Sequence, residues 1–318
     1  MSTVEPLPSR EYWAGLVSVK TSNWKYTLEE LQQDTPSRRN GSELKKVGFE
    51  DECQKRAKGI IYLFKCCRQL RLSRSVAMTA SCYFHRFYMR RDMLSHHYFE
   101  VAATSLFIAC KAEECRRRLA DVVKVCAKTA MANSQDPIDE NSKVFWRWKD
   151  LMISLEEMLL ETLCFEVTPP NPYKLCLSAL KLEEDIPRET EWLKRSKDLF
   201  IQCTNVYELT SRVPLVLLHE TNVIAMLGVV LSCAKDQSMK IPSEFVQELG
   251  TDQEQVWACY QDLVALSRPL ASLDPPFQVL QHLPKLEFEQ FTGLFDPAAP
   301  DSAPEKTQET LAQDKKEG

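Results

Sequence analysis

Glycine is scarce in this chain: there are 8 in 318 residues, and the two closest, Gly41 and Gly48, are seven apart. A loop that cradles phosphate on backbone amides needs glycines in close succession, so no nucleotide-binding glycine loop can be written. No G-x-S-x-G elbow and no H-E-x-x-H pair occurs either, which removes the usual support for an enzyme. Histidine is limited to five residues, and the 12 cysteines contain no C-x-x-C pair. Zinc sites are built on such ligand pairs, so neither a metal nor any other cofactor is expected. The cysteines fall inside apolar stretches (Cys66 and Cys67, Cys82, Cys110, Cys203, Cys233), as buried thiols in a reducing compartment do, and a disulfide framework is not expected.

Long apolar runs are missing as well. Nothing reaches membrane-spanning length, and "MSTVEPLPSREYW" at the N-terminus has no apolar core, so neither a membrane segment nor a signal peptide is expected. An excess of basic residues is absent too: 40 Lys and Arg stand against 45 Asp and Glu, a formal charge of −5. Direct DNA binding by bulk electrostatics is therefore disfavoured, because phosphate contacts need clustered cations.

What the chain has is helical periodicity nearly throughout, and 44% hydrophobic residues to build a core. Cys53, Ala57, Ile60, Ile61, Phe64 and Cys67 form one apolar stripe. Ser73 is a plausible N-cap for a second helix striped by Val76, Ala80, Tyr83, Phe84 and Phe87. A third runs over about 98–113, a fourth carries Leu119, Val122, Val123 and Cys126, and a fifth runs from Trp148 through Leu155 to Thr162. "VTPPNPY" (167–173) then breaks the pattern, because proline lacks a donor and restricts the residue before it. A second block of five follows: about 189–209, a short one after Pro214, 221–235, 242–249 and 252–267. The third helix of each block is rich in small residues (Ala102, Ala103, Ser105, Ala109; Ala225, Gly228, Ser232, Ala234). That composition predicts a central helix approached from every side. Ahead of the first block, Thr27 and Glu30 form a capping box.

The reading is thus all-α, two tandem five-helix bundles with an N-terminal helical extension. The boundaries are an extension at 1–45, a first bundle at 46–170, a second at 171–285, and a tail at 286–318 expected to be disordered from its Pro-, Ala- and charge-rich composition.

Four stretches, in order, carry a resemblance to a known family: "WKYTLEELQQDTPSRR" (24–39), "YFHRFYM" (83–89), "ACKAEE" (109–114) with "LADVVKV" (119–125), and "LEEMLLETLCFEV" (155–167). They resemble the cyclins, and within them the transcriptional cyclins of the T and K types, over about 24–175. The resemblance implies two cyclin boxes and a non-catalytic subunit that activates a cyclin-dependent kinase. By the same resemblance that kinase phosphorylates the RNA polymerase II C-terminal domain and associated elongation factors in the nucleus. It places the family's kinase-binding lysine and glutamate on Lys111 and Glu156, with Glu157 the neighbour in an adjacent register, and adds Glu114 and Phe165 to the kinase-binding set. Phe165 leaves a helix beside the proline break, so it belongs either to the core or to the kinase-facing surface. Trp24 and Tyr26 either staple the N-terminal segment to the bundle or contact the kinase. Cell-cycle cyclins dock substrates on an M-R-A-I-L stretch; here Lys55, Arg56, Ala57, Lys58 and Gly59 stand in its place, which speaks against that groove. The run Arg116–Arg118 reads as a solvated helix start, its alternative being a phosphate-binding patch. Two other readings are a promoter-binding factor of the transcription factor IIB type and a helical scaffold with no kinase.

Overall fold

The computed structural model describes residues 24–39, 47–131, 138–184, 187, 190–236, 239–274 and 277–296. The chain enters through Thr27, whose hydroxyl accepts from the Glu30 N–H at 3.1 Å while the Glu30 carboxylate accepts from the Thr27 N–H at 2.7 Å. This capping box starts α1 (Leu28–Gln33), followed by one turn, α2 (Pro36–Arg39).

Five helices then build the first bundle: α3 (Phe49–Gln69), α4 (Arg74–Phe87), α5 (Tyr98–Ala112), α6 (Leu119–Ala130) and α7 (Lys143–Thr162). Ser73 and Ser142 cap α4 and α7 by accepting from Val76 N and Phe145 N. Every residue of α5 from Val101 to Cys110 is buried, and α5 packs on α3, α4, α6 and α7. It is the central helix its composition predicts, since small side chains let four neighbours approach. Where α3 meets α4, Gly59 lies against the Phe84 ring; a Cβ there would sit 2.4 Å from Phe84 Cζ.

The second bundle holds α8 (Pro172–Ala179), α9 (Glu191–Thr210), α10 (Thr221–Cys233), α11 (Ser243–Leu249) and α12 (Gln253–Ser267). Its central helix is α10, which packs on α8, α9, α11 and α12. Gly228 on α10 lies under Tyr207, with a Cβ site 2.1 Å from that ring. Two expectations need correction. The proline stretch is a helix start as well as a break: Asn171 caps α8 by accepting from Tyr173 N at 3.0 Å, and Pro172 occupies the first turn, where a missing donor does no harm. The segment after Pro214 is a 3-10 turn, Leu215–Leu217, so the five α-helices of this block are α8–α12.

The tail also starts later than expected. Residues 286–296 are packed: α13 (Phe288–Thr292) buries Phe291 fully, with its ring 5.1 Å from that of Trp257. Ile241 N donates to Leu294 O at 2.8 Å, and Asp296 N to Ile241 O at 3.0 Å. Three phenylalanines, at 288, 291 and 295, supply the apolar contact that holds this segment. The rest of the expected tail, 297–318, lies outside the described residues, as do 1–23 and 40–46 of the N-terminal extension and its boundary.

The two bundles meet along α4. All thirteen residues from Ser75 to Phe87 are buried, although only one side of α4 is apolar. Its polar side meets the second bundle and is satisfied there. His85 Nε2 lies 2.8 Å from Ser211 O, so the ring donates from Nε2. Asn171 Nδ2 donates to Ser75 O at 3.1 Å and to Thr79 Oγ1 at 3.2 Å. At the edge of the junction Arg68 pairs with Glu208 at 2.8 Å. Gln54 Nε2 donates to Pro269 O at 3.1 Å, where the chain beyond α12 returns to α3.

Candidate functional site

Lys111 stands in the last turn of α5 with its side chain 53% exposed, and its Nζ forms an ion pair with Glu156 Oε1 on α7. The ammonium also lies 4.3 Å from the centroid of the Phe107 ring. Glu157 is exposed and outside the pair. An ion pair this open to water contributes about 0–1 kcal/mol to the fold. Fold stability therefore gives little reason for these two residues to meet.

Their surroundings are apolar and open. Ile153, Glu156 and Leu160 follow one another at i, i+3, i+7 on one face of α7. Ile153 is 51% exposed and Phe165, just past the helix, 67%. Phe165 is thus on the surface and not in the core. It is held there by an uncommon backbone: Cys164 and Phe165 both have positive φ, 52° and 57°, which for non-glycine residues costs on the order of 1–3 kcal/mol each. The turn is fixed by Phe165 N donating to Leu160 O at 2.9 Å. Arg90 Nη1 adds a bond to Thr162 O at 2.8 Å and lies 2.9 Å from Cys164 Sγ.

The two glutamates after Lys111 do different things. Glu113 turns inward: Thr79 Oγ1 donates to it at 2.8 Å, and Lys174 of α8 pairs with it at 2.7 Å. Glu114, the one in the sequence-derived set, follows in a left-handed turn with φ 55° and is exposed. Lys111, Glu156, Glu114 and Phe165 are therefore all accessible, whereas Glu113 is a clamp between bundles. Sequence reasoning did not single out Glu113 or Ile153. The inward turn of one glutamate of an adjacent pair leaves no trace in spacing, while Ile153 was visible as an apolar residue on a helix face that also carries Glu156.

Trp24 is buried and is a staple. Its Nε1 donates to Glu166 Oε2 at 2.8 Å, and the guanidiniums of Arg86 and Arg90 sit 4.8 and 3.9 Å from its ring centroid. Arg86 also pairs with Glu166 at 2.9 Å. One residue on, Lys25 reaches His219 O and lies 3.6 Å from Glu220, while Tyr26 N donates to Leu217 O at 2.8 Å. Burial pulls the Lys25 ammonium below its ordinary pKa, with Glu220 opposing. Residues 24–26 thus tie the first bundle to the second. The 55–59 stretch offers no apolar groove. Arg56 is 1% exposed and pairs with Glu52 at 2.7 Å, Lys55 pairs with Asp51 at 2.7 Å, and Ala57 and Gly59 are buried.

Residues 24–168 match the model of the cyclin N-terminal domain. The chain is 42% identical to cyclin pch1 of Schizosaccharomyces pombe over 164 residues, 52% of this chain and 46% of that protein. It is 30% identical to human cyclin-T2 over 269 residues, 83% of this chain and 33% of that one. The chain thus spans less than half the length of these curated relatives. Among solved structures, a chain of the yeast RNA polymerase II CTD kinase CTDK-1 complex superposes with a TM-score of 0.60 at 17% identity, over 87% of this chain and 86% of that chain. That likeness bears on the fold.

Proposed function

From the match of residues 24–168 to the cyclin N-terminal domain, we propose that the chain is a cyclin, the regulatory, non-catalytic subunit of a cyclin-dependent kinase. We assign the kinase to the transcriptional type that phosphorylates the C-terminal repeats of RNA polymerase II. The outcome is promotion of transcript elongation, in the nucleus. The relatives named cyclin-T2 and cyclin pch1 support the transcriptional assignment.

The observation that carries the proposal is the Lys111–Glu156 pair, open to water and flanked by exposed Ile153 and Phe165. A protein kinase is active when a mobile helix brings its glutamate to the ATP-binding lysine. A rigid surface that packs on that helix favours the active arrangement by binding it more tightly than the inactive one. Here Phe165 and Ile153 supply the apolar contact, and Lys111 and Glu156 supply a donor and an acceptor for the backbone ends of the kinase helix. Glu114 stands at the rim. The first bundle, within 46–170, is the kinase-binding unit, and the second, within 171–285, backs it through Glu113, Asn171 and α4.

The test is recovery of the tagged chain from cells, followed by kinase assay on a peptide of the polymerase repeat. The expected result is a co-purifying kinase that phosphorylates the repeat, with no ATP turnover by the chain alone. Recovery with no kinase would favour the scaffold reading. A kinase indifferent to the repeat would remove the transcriptional assignment.

A further inference from the structure

Six of the chain's 18 arginines stand in two short segments, at 68, 71 and 74 and at 116, 117 and 118. The first segment joins α3 to α4 and the second joins α5 to α6. The fold brings them together. The Arg117 guanidinium donates to Leu70 O at 3.3 Å and Arg71 O at 3.4 Å on one side, and to Arg116 O at 3.0 Å on the other. One arginine is thus spent as a clamp, and it sets the backbones of Arg71 and Arg116 next to each other. The solvated helix start read from Arg116–Arg118 alone is half of a larger basic surface.

Little of that charge is answered. Arg68 pairs with Glu208 and Arg118 with Asp121. Arg74 Nη1 donates to the neutral Asn205 side chain at 2.9 Å. Glu113 is turned into the bundle junction. Glu114, at the head of the second segment, joins none of the ion pairs among the described residues. Arg71 and Arg116 are exposed, and their side chains have no described hydrogen bond or ion pair. Two exposed forked donors on backbones that Arg117 ties together make a local cation on a chain whose formal charge is −5. Arginine, rather than lysine, is the residue that matches the oxygens of a phosphate dianion two at a time.

We propose that the paired segments 68–74 and 115–118 are a binding surface for a phosphorylated peptide, with Arg71 and Arg116 holding the phosphate. A nucleic acid fits the surface less well. It needs a basic stripe following many phosphates, and aromatic platforms where it is single-stranded. Here the cations are confined to two short segments, at the junction of α3 with α4 and of α5 with α6, of an acidic chain. The large exposed apolar residues (Leu94, Met131, Trp146, Ile153, Phe165, Ile201, Phe288) lie outside both segments. The inference concerns binding by the chain itself, so it stands or falls separately from the kinase proposal.

The experiment is fluorescence anisotropy with the full chain and a labelled Ser-Pro repeat peptide carrying two phosphoserines. The unphosphorylated twin and a short single-stranded RNA serve as the other probes. The phosphopeptide is expected to bind about tenfold or more tightly than its twin, and to be released by added salt. Arg71→Ala with Arg116→Ala is expected to abolish that preference without changing the melting temperature, since neither side chain has a described partner to lose. Arg71→Lys with Arg116→Lys keeps the charge, loses the fork, and should retain only part of it. Equal binding of the two peptides, an unchanged preference in the double alanine variant, or RNA bound more tightly than the phosphopeptide would each overturn the proposal.

Discussion

Glu113 and Lys174 form an ion pair at 2.7 Å between the end of α5 and the first helix of the second bundle. The pair lies two residues beyond Lys111, so the element that presents the candidate kinase face is also the element bolted to the second bundle. Thr79 and Ser75, on α4, donate to the same carboxylate at 2.8 and 3.4 Å.

Glu113→Ala is therefore expected to destabilise the chain by about 1–3 kcal/mol, the cost of leaving buried donors unsatisfied. Glu114→Ala, one position away on the exposed turn, should stay within about 0.5 kcal/mol of the parent. Urea unfolding of the two variants measures the difference. Similar effects at both positions would show that the adjacent glutamates are equivalent and that Glu113 is no clamp.

Gly59 and Gly228 give a second prediction in which the sign decides. A glycine inside an open helix is worth replacing: alanine there gains about 1 kcal/mol. At these two sites the added methyl meets an aromatic ring, Phe84 or Tyr207, at 2.4 and 2.1 Å. Overpacking of this kind typically costs about 1–3 kcal/mol. Gly59→Ala and Gly228→Ala should each lower the melting temperature. A rise in either would mean that the ring moves aside freely.

His85 makes the junction sensitive to acid. It is buried, faces Arg56, and is driven from the ordinary histidine value down to about 3, first by desolvation and then by that guanidinium. Its Nε2–H is used on Ser211 O, so the folded chain holds the neutral ring. The unfolded chain takes up a proton below about pH 6.5, and the folded one only near pH 3. Stability from this group is therefore complete above pH 6.5 and falls as pH drops towards 3, by roughly 2 kcal/mol at pH 5. His96 and His97 are lowered by burial too and add the same sign. Unfolding titrations at pH 7 and pH 5 should show a smaller loss in His85→Gln than in the parent. An equal loss would place the acid sensitivity elsewhere.

The sequence makes some of these features legible and hides others, for physical reasons. The central helices α5 and α10 are readable because small residues on every side have no alternative use. The Lys111–Glu156 register is readable through the motif around it, and Thr27 through its capping box. The full burial of α4 is not readable. Ser75, Thr79 and His85 look like a solvated face, and only the second bundle supplies their partners. The start of α8 is masked by prolines, which mark helix beginnings as well as breaks. The ordered segment around Phe291 is too short to show a period. Phe165 stays open between core and surface because a left-handed turn exposes it, fixed by its own N–H on Leu160 O and braced by Arg90, far away in sequence.

The kinase proposal makes its own demand on four side chains. Lys111 and Glu156 form a half-exposed pair, so Lys111→Ala and Glu156→Ala should each change stability by less than about 1 kcal/mol. Phe165 is mostly exposed, and its replacement by alanine keeps the backbone turn, so it too should leave the fold intact. In the complex the outcome reverses. Truncating one partner of a desolvated charged contact typically costs about 2–5 kcal/mol in binding, on the order of 30-fold or more in affinity. Glu156→Lys should be worse than Glu156→Ala, because it adds a repelled charge where an acceptor was used. Glu114→Ala, at the rim, should weaken binding least of the set. A titration of each variant against the co-purified kinase, with circular dichroism on the same samples, separates the two effects. Parental affinity in Lys111→Ala, Glu156→Lys and Phe165→Ala, with helicity unchanged, would take the kinase off this face and leave the exposed ion pair without the role assigned to it.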